Sequence, residues 1–89
     1  MAENPFEKWD DKLLEAAMNN DLRTVEQCIV EGANLNKAMI MDNRRVTPMY
    51  FAVMHKNLEM VGLLLNWGAA YTYGARILLE KSGEQDLGI

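Results

Sequence analysis

The chain has 89 residues, of which 49% are apolar and 25% charged, and its formal net charge is −4. That length builds one domain with a thin stability margin, and the composition excludes a disordered chain. The apolar runs fall well short of the roughly 18 residues of a membrane span, and the single cysteine, Cys28, excludes an intrachain disulfide and a cysteine-rich zinc site.

The chain opens on Asn4-Pro5-Phe6-Glu7. An asparagine cap with a glutamate three residues on predicts a helix start. Phe6, Trp9 and Leu13 then share one face, which would cover the open end of whatever follows. The first residues are acidic and lack a hydrophobic stretch, so no secretory leader is expected. With the lone cysteine, this places the chain in a reducing, cytoplasmic compartment.

Residues 13–33 and 49–69 align without gaps at an offset of 36. The matched pairs include Ala16/Ala52, Leu22/Leu58, Val25/Val61, Cys28/Leu64, Ile29/Leu65, Gly32/Gly68 and Ala33/Ala69. Each segment reads as two short helices. Leu58, Val61, Leu64 and Leu65 recur at three- and four-residue spacing, the stripe of an amphipathic helix. Gly68 ends that helix, and Thr47-Pro48 opens the one before it, with the threonine as cap and the proline in the first turn. No alternating strand pattern is present. Gly74 to Lys81 reads as one more short helix, capping the stack through Ile77 and Leu78, and residues 83–89 as a tail.

Thr47-Pro48-Met49-Tyr50-Phe51-Ala52-Val53, Asn57-Leu58-Glu59-Met60-Val61 and Leu63-Leu64-Leu65-Asn66-Trp67-Gly68-Ala69 resemble an ankyrin repeat. A looser copy keeps Ala16-Ala17, Asp21-Leu22, Val25 and Gly32-Ala33-Asn34-Leu35-Asn36. The resemblance covers residues 11–73 and implies an all-α fold, a short stack of antiparallel helix pairs with a capping helix at each end. Repeat one would span about 11–37, repeat two about 42–73, and the C-terminal cap about 74–82, all in one domain over 1–82. Tyr50 stands where the family has histidine, Lys56 where it has a turn glycine and Arg45 where it has a loop glycine. The loop from Gly32 to Thr47 is three residues longer than the family's usual spacing.

Catalytic chemistry is not expected. His55 is the sole histidine and has no second ligand at metal spacing and no nucleophile or acid beside it in sequence. Cys28 lies on the apolar stripe and reads as a small buried hydrophobe. Gly62, Gly68 and Gly74 lack the preceding strand and following lysine of a phosphate-binding loop. No metal or cofactor is therefore expected.

The resemblance implies a protein partner, held by the loop tip, the exposed side of the inner helix and the turn after it. Those places are Met41, Asn43, Arg44 and Val46 on the loop, Met54 and His55 at the helix end, and Trp67 before the glycine; their counterparts in repeat one include Met18, Asn19 and Glu31. Met39-Ile40-Met41 either forms part of that surface or folds back on the core. The leading expectation is a non-catalytic interaction module, an inhibitor or adaptor that occupies a partner's surface. The alternative is a self-associating subunit of a larger assembly. A third reading, an acidic mimic of DNA, rests on residues 1–31, where eight acids face three bases, against six bases and three acids over 32–81. Arg44-Arg45 alone is too short a basic patch to bind nucleic acid.

Overall fold

The computed structural model describes residues 5–87, with side chains over 9–81. The expected Asn4 cap, the Phe6 side chain and the side chains beyond Lys81 lie outside that range. Five helices and one hairpin follow in order: α1 (Pro5–Met18), α2 (Leu22–Val30), β1 (Met39–Met41), β2 (Arg44–Val46), α3 (Pro48–Met54), α4 (Leu58–Asn66) and α5 (Tyr73–Leu87).

The chain is mostly helical, but the expectation of an all-α fold needs correcting. The long loop holds a two-stranded antiparallel hairpin in which Met39 faces Val46, Ile40 faces Arg45 and Met41 faces Arg44. Asp42 and Asn43 form its turn with φ of +53° and +63°. Positive φ at both central residues is the turn whose twist matches antiparallel strands, and asparagine and aspartate tolerate it well. A two-residue Asp-Asn between apolar or basic runs was the available signal. Strands of three residues are too short to show an alternation.

The two aligned segments repeat at the level of individual bonds. Asn19, Asn20 and Asp21 donate their backbone N–H groups to Glu15, Ala17 and Ala16; His55, Lys56 and Asn57 donate to Phe51, Val53 and Ala52. Glu31, Gly32 and Ala33 donate to Gln27, Ile29 and Cys28; Trp67, Gly68 and Ala69 donate to Leu63, Leu65 and Leu64. Every pair is offset by 36. The second helix of each unit is capped the same way, by Asp21 accepting from the Thr24 N–H and Asn57 accepting from the Met60 N–H. Gly32 and Gly68 end those helices at φ of +94° and +102°, a conformation that suits glycine.

The helices form two rows. α1, α3 and α5 pack side by side as the inner row, and α2 packs on α4 as the outer row. Ala16, Ala17 and Ala52 are buried and allow the inner helices close approach. Leu13, Leu14, Val25, Cys28, Met60, Val61 and Leu64 are fully buried between the rows. Three hydrogen bonds join the two units. Asn57 Nδ2 donates to Asn20 Oδ1 at 2.9 Å, the Ala70 N–H donates to Asn36 Oδ1 at 2.9 Å, and His55 Nε2 stands 2.7 Å from the Met18 carbonyl.

The ends differ from expectation in two ways. The leading segment and the first helix of unit one are a single helix, with Trp9 half-buried against the core. At the other end α5 runs to Leu87, past the expected limit near 82.

Candidate functional site

The hairpin and the inner helices enclose a groove of about 470 Å³. β1 contributes Met41, the hairpin turn Asp42, β2 Arg44 and Val46, α3 Tyr50, Phe51 and Met54, and α1 Met18. The start of α3 fixes the geometry. The Thr47 hydroxyl accepts the Tyr50 N–H at 3.2 Å, and Pro48 occupies the first turn. Tyr50 then stands under the hairpin, where its hydroxyl accepts a hydrogen bond from Arg44 at 2.9 Å. That bond is the leading cause of the upward shift in the Arg44 pKa; the guanidinium is charged regardless. The Phe51 ring meets Tyr50 edge-on at 5.4 Å and walls the groove from the core side.

The structure brings together four of the seven expected residues: Met41, Arg44, Val46 and Met54. Met54 is half-exposed and Arg44 exposed. Val46 corrects an expectation. It was assigned to the exposed tip but is 2% exposed, because the end of β2 turns it into the core beneath the groove. Asn43 sits exposed at the hairpin turn, above the groove but outside its wall. His55 is half-buried beside Met18, and to bond that carbonyl its Nε2 must carry the proton, so it serves the joint between the units. Trp67 is 54% exposed at the end of α4 and lies outside the groove wall. Met18, named as a counterpart in repeat one, joins the groove; Asn19 and Glu31 do not line it.

Sequence reasoning missed Tyr50 as a site residue. Its departure from the family's histidine was noticed, yet the consequence needed the hairpin, which places Arg44 within reach of the hydroxyl. The open alternative for Met39-Ile40-Met41 resolves residue by residue: Met41 packs against the core, whereas Met39 and Ile40 are exposed.

Three methionines and an aromatic pair make a deformable apolar lining, suited to side chains of varied shape. Arg44 adds one fixed donor for a carboxylate or carbonyl. Among the described residues no group of three His, Cys, Asp or Glu is placed to hold a metal ion. Cys28 is buried in the core, and that burial raises its pKa, which disfavours the nucleophilic thiolate. Among the described residues, no helix is long and apolar enough to cross a membrane.

The ankyrin-repeat family model matches residues 45–73. That segment is similar to an ankyrin repeat. The match takes in Arg45 and Val46 of β2 with α3 and α4, and so Val46, Tyr50, Phe51 and Met54 of the groove, while Met18, Met41, Asp42 and Arg44 precede it. Residues 13–33 fall outside it, and their kinship to the repeat rests on the bonds that recur 36 residues apart. No curated protein and no solved structure matches the chain.

Proposed function

We propose that this chain is a non-catalytic module that binds another protein through the groove between the hairpin and the inner helices. The observation that carries the reading is the convergence of Met18, Met41 and Met54 with the Tyr50-held Arg44 in one groove, beside a segment, residues 45–73, that matches the ankyrin repeat. An apolar partner side chain fits among the methionines, and an acceptor beside it meets Arg44. Methionine and arginine are enriched at interfaces, and a tethered arginine loses less freedom on binding. Inhibitor or adaptor, in the cytoplasm, is the preferred role.

Affinity capture followed by mass spectrometry tests the reading. Met54→Glu and Arg44→Ala should each deplete the same captured protein while circular dichroism stays unchanged; Trp67→Ala should leave capture intact. Equal capture by all three would refute the assignment of the groove.

Self-association is the second reading, favoured by Ile40, which is 71% exposed on the outer side of the hairpin. Light scattering across a concentration series separates the two: a mass that rises with concentration, and stops rising in Ile40→Lys, would favour the assembly.

A further inference from the structure

The rows of the stack are unequal. α3 has α4 as its outer partner, but among the described residues nothing lies outside α5 as α4 lies outside α3. A groove of about 560 Å³ opens at that place, between the end of α3, the start of α4 and the side of α5. Gly74 sets its depth: a Cβ there would stand 3.2 Å from Val53, so the glycine lets α5 close on α3. The walls are apolar, from Val53, Leu58, Ile77 and Leu78, and two lysines, Lys56 and Lys81, stand at the rim.

Among the described residues the charge of the rim is one-sided, and no carboxylate lines the groove. Glu80, on α5, is held by Arg76 at 3.0 Å, while Lys56 and Lys81 make no ion pair among the described residues. Lys56 also occupies a strained position, at φ +55°. The equivalent place in the first unit holds Asn20 at φ +59°, a residue that tolerates this conformation far better than lysine does. Strain retained at one position is a mark of a role there.

We infer that this groove is a second docking site, whose occupant is an amphipathic helical segment of a partner protein with carboxylates flanking its apolar stripe. Beside α4, where among the described residues α5 lacks an outer partner, the apolar floor takes the stripe of a helix and the two lysines meet the flanking acids. A second copy of this chain related by a two-fold axis would set lysines against lysines. Two lysines are also too few for a phosphate backbone.

The test is fluorescence anisotropy with two labelled amphipathic peptides that share one leucine stripe, flanked by glutamates in the first and lysines in the second. The glutamate peptide should bind, and the lysine peptide should bind at least about tenfold more weakly. Lys56→Gly and Lys81→Ala should each weaken the glutamate peptide by roughly two- to fivefold, the range of an exposed ion pair. Lys56→Gly should at the same time raise the unfolding midpoint, a combination that a purely structural lysine would not give. Ile77→Glu should abolish binding, and Leu58→Asp, at a residue 40% exposed, provides the same loss with less demand on folding. Met54→Glu should leave this peptide's affinity unchanged, which separates the slot from the hairpin groove. Absence of binding up to about 1 mM, equal affinity for both peptides, undiminished binding by Lys56→Gly, or a concentration-dependent mass lost in Ile77→Glu would overturn the inference.

Discussion

Asn57 performs two tasks at once, and they can be separated. Its Oδ1 caps α4 by accepting the Met60 N–H at 3.1 Å, and its Nδ2 donates to Asn20 Oδ1 in the neighbouring unit at 2.9 Å. Asn57→Ser keeps a capping oxygen but is too short to reach Asn20. The lost bond is exposed, so its cost should fall at the lower end of the net range, about 0.5–1 kcal/mol. Asn57→Ala removes the cap as well, worth about 1 kcal/mol more. At a urea slope of roughly 1 kcal/mol/M, the midpoint should fall by about 0.5–1 M for serine and about 1.5–2 M for alanine. Asn20→Gly completes a double-mutant cycle, since glycine accepts the φ of +59° while removing the partner oxygen. The cycle, read by urea unfolding at the helical circular dichroism signal, should return a coupling of about 0.5 kcal/mol or more. Additive effects of Asn20→Gly and Asn57→Ser would refute the claim that the two units are joined here, and a serine variant as unstable as the alanine one would refute the separate contribution of the cap.

Three further outcomes follow from the core and the caps. Leu64 is fully buried, so Leu64→Ala should cost about 2–5 kcal/mol, a large share of the roughly 4–13 kcal/mol available to a chain of this size; thermal melting checks it, and a loss below about 1 kcal/mol would place Leu64 outside the core. Cys28 should resist a thiol reagent in native buffer and react fully in denaturant, because burial shields it and raises its pKa; rapid native labelling would contradict its placement. The Asp21 carboxylate accepts from the Thr24 hydroxyl and N–H, which lowers its pKa below the ordinary 3.8. A group with a lowered folded pKa contributes stability that is fully present above 3.8 and lost as pH falls through the folded value. The stability gap between the parent and Asp21→Asn should therefore shrink below pH 3.8, and a gap independent of pH would contradict the cap.

Most of the helical architecture was legible because helices write their structure locally. The 36-residue offset, the cap at Thr47 and the stop at Gly68 act within a few residues of sequence, and each recurs in the fold; the caps at Asp21 and Asn57 are as local, but the sequence reading did not name them. The hairpin was not legible by periodicity, because three residues per strand give no measurable alternation; it was written in the Asp42-Asn43 turn instead. The groove was half legible. Met41, Arg44 and Met54 were placed by resemblance, but the Arg44–Tyr50 bond, the burial of Val46 and the engagement of His55 with Met18 depend on how the hairpin and α1 lie against α3. Trp67, expected at the site from its residue type and its place before the glycine, stands at the end of α4 outside the groove wall.

The central claim is that a protein partner occupies the hairpin groove. Site-specific photo-crosslinking measures this most directly, with a photoreactive residue installed in turn at positions 54 and 67 of the full chain. The account predicts a crosslink to the partner from position 54, at the groove, and none from position 67. A partner crosslinked from position 67 and not from position 54 would contradict it.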